Sequence, residues 1–138
     1  MLTFREHVTP SDGEAVRRII ESSGFFSAAE VDVAVERVDA RLTAGDRSGY
    51  FFIFCESNGE TVGYTCFGPI ACTVGSFDLF WIAVHQDHRG GGLGRELLVR
   101  SEARMAAMGG RRNYIETSSR PLYEPTRAFY SRCGYREE

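Results

Sequence analysis

The sequence predicts a mixed α/β domain in which a largely antiparallel sheet carries helices on both faces. Three observations lead there. Residues 12–45 place apolar side chains at helical spacing. Residues 50–84 switch to dense, aromatic-rich strand patterns broken by short turns. From residue 82 onward a strand runs through a glycine loop into a helix, a further strand and a last helix. No repeat, linker or low-complexity tract divides the 138 residues, so 1–138 reads as one domain, long enough to build a core without staples.

Taken in order, residues 2–8 read as a short strand. Thr9, Pro10, Ser11 and Asp12 offer a helix start, with Glu14 in the first turn; Val16, Ile19 and Ile20 give its apolar side and Gly24 ends it. Ser27 and Glu30 have capping-box spacing for a second helix. Its Val31, Val35, Val38 and Leu42 recur at i, i+4, i+7 and i+11 until Gly45. Residues 50–56 form a strand, Asn58-Gly59 a tight hairpin turn, and 60–72 the returning strand. After a turn over 73–76, residues 77–84 are almost unbroken apolar, the pattern of a strand buried on both faces. Leu93, Leu97, Leu98, Met105 and Met108 define a third helix, closed by Gly109-Gly110. A strand follows over 112–118. Pro125 suits the start of a last helix that runs toward Cys133 and stops at Gly134. The predicted order is β-α-α-β-β-β-α-β-α.

Composition excludes several chemistries. The net charge of −3 gives no electrostatic case for nucleic acid or an anionic membrane as the partner. All sixteen basic residues are arginine, so no lysine Schiff base can form and no GxxxxGK[ST] phosphate loop can be completed. Cys55, Cys66, Cys72 and Cys133 lack CxxC spacing and stand apart from the histidines, which argues against structural zinc, any other metal centre or a redox dithiol. With no secretory leader pattern and no apolar run approaching 18 residues, the expectation is a reduced, soluble, cytoplasmic protein.

The most informative segment joins the apolar strand to the third helix through Arg89-Gly90-Gly91-Gly92-Leu93-Gly94-Arg95. Glycines let backbone approach a ligand closely and adopt positive φ, and free N–H groups at a helix start attract phosphate. A tight connection with no ligand rarely needs four glycines in five residues. The dinucleotide fingerprint G-x-G-x-x-G fails because position 95 is arginine, and the preceding strands form a meander rather than a βαβ start.

Here the sequence resembles the GNAT family of N-acetyltransferases. Arg89 through Gly94 fits that family's coenzyme A loop, R/Q-x-x-G-x-G/A. Phe129-Tyr130-Ser131-Arg132-Cys133-Gly134-Tyr135 fits its second signature, F-Y-x-x-x-G-F/Y, downstream of the first. The order of elements agrees over nearly the whole chain. The resemblance implies acetyl-CoA as acyl donor, with no metal, and a small-molecule or peptide amine as acceptor. It implies that backbone groups of Ile82, Ala83 and Val84 pair with the pantetheine arm. The amides of Arg89, Gly90, Gly91, Gly92, Leu93, Gly94 and Arg95 would hold the pyrophosphate. The Val84 N–H would polarise the thioester carbonyl. Tyr130 falls on the tyrosine that lies by the coenzyme sulfur, where a phenol can protonate the leaving thiolate; packing alone is the other reading of this residue.

Direct transfer also needs a base, because the attacking amine must be neutral. Asp78, within Phe77-Asp78-Leu79-Phe80-Trp81, is the candidate; a half-solvated structural carboxylate or an acceptor contact is the alternative. It falls on the strand position where protein-acetylating members place a glutamate. Asp is one methylene shorter, which invites a bridging water. His85 and His88 are weaker candidates because they flank the loop. Where many members carry asparagine, seven residues before the tyrosine, this chain has Tyr123. Cys133 reads as a packing residue, and Phe25 with Phe26 as an apolar lid over the acceptor or a core staple.

The expected activity is acetyl transfer from acetyl-CoA to a primary amine in a ternary complex. A non-catalytic acyl-CoA-binding module is the main rival, and a dinucleotide-binding oxidoreductase a distant third. The family usually adds two closing strands after the last helix. Only four residues follow Gly134, so the expectation is a fold without these strands: either a C-terminal tail is missing from the sequence, or a second copy covers the open edge as a homodimer.

Overall fold

The computed structural model describes residues 2–115 and 124–136. The elements are β1 (Leu2–Arg5), α1 (Asp12–Glu21), α2 (Ala28–Ala44), β2 (Phe51–Ser57), β3 (Glu60–Pro69), β4 (Ser76–Val84), α3 (Leu93–Ala107), β5 (Arg112–Ile115) and α4 (Glu124–Arg132), in the predicted order. Short 3₁₀ turns at Gly45–Ser48 and Gln86–His88 are additional. The strands form one sheet in the order β1-β2-β3-β4-β5; all pairs are antiparallel except β4 with β5.

Local chemistry sets most boundaries. Ser27 and Glu30 form the predicted capping box: the Glu30 N–H donates to Ser27 Oγ at 3.2 Å and the Ser27 N–H to Glu30 Oε1 at 3.0 Å. Asn58 and Gly59 take φ of 52° and 82°, the twin positive angles of a two-residue hairpin turn. The returning strand ends at Pro69 instead of residue 72, where a residue without an N–H interrupts the ladder. The first helix begins differently from expectation. Ser11 makes no side-chain cap; Asp12 accepts the Thr9 N–H at 2.7 Å.

Two cores sit on the two faces of the sheet. On one, Val16, Ile19 and Ile20 of α1 and Val31, Ala34 and Val38 of α2 cover Phe52, Phe54, Tyr64 and Cys66. On the other, Leu93, Leu97, Leu98 and Met105 of α3 and Tyr130 of α4 cover Ile53, Val62, Phe67, Phe77 and Leu79. Leu42, predicted as the end of the α2 stripe, is 40% exposed, while Ala34 takes a buried place on that face. Among the described residues, no helix is long and apolar enough to cross a membrane.

Strand β3 lies at the centre, with eight consecutive buried residues. The apolar run predicted full burial for β4 instead. Phe77 and Leu79 are buried, but Phe80 through Val84 are only partly so. A bulge explains the change of face. Cys66 pairs with Trp81 and the next β3 residue, Phe67, with Leu79, leaving Phe80 as the extra residue. Phe77 and Leu79 therefore face α3, as do Ile82 and Val84, whereas Phe80, Trp81 and Ala83 face α1 and α2.

One ion-pair node ties the first strand to the rest. Arg5 donates to Asp12 at 2.6 and 2.9 Å and to Glu56 at 2.8 Å, and its guanidinium lies 4.6 Å from the Phe54 ring centroid. Burial alone would raise the Asp12 carboxyl; the Arg5 guanidinium and the Thr9 N–H outweigh it and hold the group below its ordinary range. A depressed carboxyl contributes stability above its unfolded pKa and loses it as pH falls through the folded value. Asp12→Asn should therefore cost about 2–3 kcal/mol at neutral pH, read as a lower urea midpoint. The gap from wild type should shrink as pH falls below roughly 4.

Candidate active site

The site is built where β4 leaves its neighbour. Strand β5 pairs with Ser76, Phe77, Asp78 and Leu79 only, so among the described residues Phe80 to Val84 has no partner on that edge. Backbone direction alternates along a strand. The His85 N–H donates to the Val62 carbonyl at 2.8 Å, so residue 85 points at β3, as does Ala83, two residues back. Ile82 and Val84 must then turn their N–H and C=O groups to the open edge. The Val84 carbonyl accepts from Arg89 Nε at 3.3 Å, consistent with that direction. The three strand residues singled out from sequence thus divide: Ile82 and Val84 offer edge backbone, and Ala83 is engaged with β3.

The glycine loop follows directly. Gly90 and Gly92 have φ of 85° and 80°, and Gly92 is the N-cap of α3. A Cβ built at Gly90, Gly91 or Gly92 would meet nothing within 4 Å, so the loop is hollow on the side where a ligand would lie. The first N–H of this turn to find a carbonyl is that of Glu96, which bonds Gly92 at 3.1 Å. Among the described residues, the N–H groups of residues 92–95 find none, and they are gathered at the positive end of α3. This is the geometry that holds a pyrophosphate, and the residues present fit coenzyme A. Gly94 has a different part. A Cβ there would touch the Phe129 ring at 3.5 Å, so the bare backbone marks where α4 leans on the start of α3.

That contact positions Tyr130. The residue is 8% exposed and sits in the α3-side core, with ring centroids 5.4 Å from Phe129 and 6.0 Å from Tyr135. Burial pushes its phenol above the ordinary range, and the Cys133 thiol adds to this, so the hydroxyl stays protonated at neutral pH. Tyr135 donates to Glu102 at 2.5 Å and accepts from Asn113 at 2.7 Å, pinning the chain end to α3 and β5. Cys133 is half-buried and packs on the same core, in line with a packing role. Tyr123 lies outside the described residues.

Asp78 is half-buried in β4, opposite Gly68 on one side and Tyr114 on the other. Standing between Phe77 and Leu79, it points to the α1–α2 face, across the sheet from Tyr130. His85 accepts the Asp87 N–H through Nδ1 at 3.1 Å, which occupies that nitrogen within the loop.

Sequence reasoning named Phe25 and Phe26 in the α1–α2 loop as a lid or a staple, but it missed Ser22. Ser22 Oγ accepts the Gln86 N–H at 3.0 Å, and Phe26 lies 5.1 Å from Trp81 between ring centroids. Phe26 therefore rests on the α1–α2 side of β4, next to the bulge. The only sequence signal was the Phe25-Phe26 pair.

The sheet takes one parallel pair, β4 with β5, and an open glycine turn heads the next helix, which makes this a mixed α/β domain. The model of the acetyltransferase (GNAT) domain matches residues 48–137, and the chain belongs to the GNAT acetyltransferase family. A GNAT-family protein from Desulfovibrio desulfuricans is 43% identical, with a TM-score of 0.98 over all of this chain and 87% of that one. The PaiA N-acetyltransferase of Thermoplasma acidophilum, solved with coenzyme A, has a TM-score of 0.77 at 13% identity, over 100% of this chain and 91% of that one. AAC(6')-Iy, solved with the bisubstrate analogue CoA-S-monomethyl-acetylneamine, has a TM-score of 0.77 at 15% identity, over 99% and 92%. The last two likenesses concern the fold alone. Comparison with curated proteins gives no match.

Proposed function

We propose that this protein is an acetyl-CoA-dependent N-acetyltransferase that moves the acetyl group to a primary amine by direct transfer in a ternary complex. The observation that carries this reading is the meeting of the unpaired β4 edge at Ile82 and Val84 with the hollow loop at Gly90, Gly91 and Gly92. An extended arm with a pyrophosphate at one end fits both at once. The complexes of PaiA and AAC(6')-Iy, which share the fold, lend support.

Bound acetyl-CoA supplies an activated acyl group and a thiolate leaving group. The chain supplies the rest. Free N–H groups from Gly92 to Arg95, with the backbone of the Arg89–Gly91 turn beside them, hold the diphosphate. Ile82 and Val84 hold the arm in strand fashion, and the Val84 N–H is placed to polarise the carbonyl. Asp78, on the opposite face, takes the proton of the incoming amine, directly or through one water. As the C–N bond forms and the C–S bond breaks, the electron pair passes to sulfur, where the Tyr130 hydroxyl donates. Burial makes this phenol a weaker acid than a thiol of pKa about 8.5. Its main contribution is therefore a hydrogen bond to sulfur as charge builds there; Tyr130 keeps its proton, and the departing thiolate takes one from solvent.

Three variants test separate parts. Gly92→Val puts a branched side chain at φ of 80° and fills the hollow. Calorimetry should show coenzyme A binding lost, with the fold retained by circular dichroism. Tyr130→Phe should lower kcat by roughly 10²–10⁴ at nearly unchanged coenzyme affinity. Thiol release within about threefold of wild type would leave the tyrosine a packing role. Asp78→Asn should remove the acidic limb of the kcat/KM–pH profile; a retained limb would point to water or another base.

A further inference from the structure

Three buried polar atoms on the α1–α2 face have no hydrogen-bond partner among the described residues: Arg37 Nη1, Tyr64 OH and Trp81 Nε1. An unpaired buried donor is costly, so three on one face call for an explanation. They are neighbours by topology. Tyr64 and Cys66 are two residues apart on β3, and Trp81 stands opposite Cys66 on β4. Arg37 reaches down from α2, its guanidinium carbon 5.1 Å from the Phe80 ring centroid and 5.8 Å from that of Tyr50. Its charge is felt by both Tyr64 and Cys66.

Arg37 is also unlike most arginines of this half; of the others only Arg47, exposed in the Gly45–Ser48 turn, lacks a carboxylate among the described residues. Arg5, Arg17, Arg18 and Arg41 each pair with a carboxylate within 4 Å. Among the described residues Arg37 pairs with none; aromatic rings surround it instead. A guanidinium N–H and an indole N–H only donate, and a buried phenol can donate a third bond. Three donors with one positive charge and no acceptor are complementary to a carboxylate, which has about four lone-pair sites. Asp78 projects from the same face of β4, on the near side of the Phe80 bulge.

We propose that Arg37, Tyr64 and Trp81 bind the carboxylate of the acceptor, and that the acceptor is therefore an amino acid or closely related amino-carboxylic acid. The inference rests on the acetyl-transfer reading and adds the substrate class to it. A zwitterion sets its carboxylate on Arg37, Tyr64 and Trp81 and leaves its amine for the acetyl group. Polyamines and aminoglycosides, which carry only positive charge, meet Arg37 as a repulsion. In the structure the three atoms are closed from solvent, with Phe26 resting on Trp81. Entry requires Phe26 to lift with the α1–α2 loop. Binding then repairs the three unpaired donors.

Trp81 is the only tryptophan, so its indole N–H gives a single cross-peak in a ¹⁵N-labelled sample. The coenzyme A-saturated protein is titrated with matched pairs that differ by one carboxylate: leucine and isoamylamine, phenylalanine and phenethylamine, lysine and cadaverine. At least one amino acid should move the indole peak saturably while its decarboxylated partner does not. Arg37→Gln should weaken that binding by about tenfold or more, as expected for a charge-assisted bond. Tyr64→Phe keeps the packing and deletes one unpaired hydroxyl. It should leave Tm unchanged or raised while weakening the carboxylate several-fold, a split that a purely structural hydroxyl would not produce. An indole peak unmoved by every amino acid up to about 50 mM, or moved equally by the decarboxylated amines, overturns the proposal. So does an affinity unchanged in both variants. Thiol release from acetyl-CoA over the same pairs separates the two readings. Turnover of amines without an indole response leaves acetyl transfer standing and removes the carboxylate site. A specific indole response with no turnover of any amine does the reverse.

Discussion

A strand inside a sheet must satisfy its backbone on both edges, and β4 does so for only part of its length. From Ser76 to Leu79 it is held by β3 on one side and β5 on the other. Past Leu79, β3 alone pairs with it among the described residues. Ile82 and Val84 turn their backbone groups to the edge away from β3, where among the described residues only the Val84 carbonyl has a partner, Arg89 Nε. Unpaired backbone in a half-buried place is costly. The rest of the molecule is arranged so that this cost is borne at one spot, where a ligand can relieve it.

The bulge at Phe80 belongs to the same arrangement. One extra residue reverses which face the strand shows, so Phe77 and Leu79 anchor the α3 core below the bulge and Ile82 and Val84 do so above it. Phe80 and Trp81 both turn to the other face, where regular alternation would allow only one of them. Gly68 permits the crowding: a Cβ there would run into the Gly49 carbonyl oxygen and come within 3.1 Å of the Phe80 ring. The same local irregularity opens an edge on one side and gathers aromatic and donor groups on the other.

Rigidity is concentrated away from that edge. Strand β3 is buried nearly end to end, and the buried Thr65–Ser101 hydroxyl bond at 2.7 Å fastens it to α3. The Arg5–Asp12–Glu56 node fastens β1, α1 and β2 together. Among the described residues, Ser22 with Gln86 and Phe26 with Trp81 connect the α1–α2 loop to the site.

By itself the sequence determined the elements and their order, because these depend on short-range chemistry. Capping by Ser27 and Glu30, the Asn58-Gly59 turn and the glycines around Gly92 act within a few residues, and each is legible in the string. The loop and the Phe129-Tyr130 motif were legible for the same reason. Other features were decided only in three dimensions. Strand β4 reads as a fully buried strand, since an apolar run looks the same whether protein or a ligand covers it. The division of labour among Ile82, Ala83 and Val84 depends on the register with β3. The bulge at Phe80 appears only when two strands are paired and one proves a residue longer. The company of Arg37, Tyr64 and Trp81 joins residues from α2, β3 and β4 that no local spacing relates. Patterns record what each segment can become; the unsatisfied backbone and side-chain donors appear only once the segments are packed.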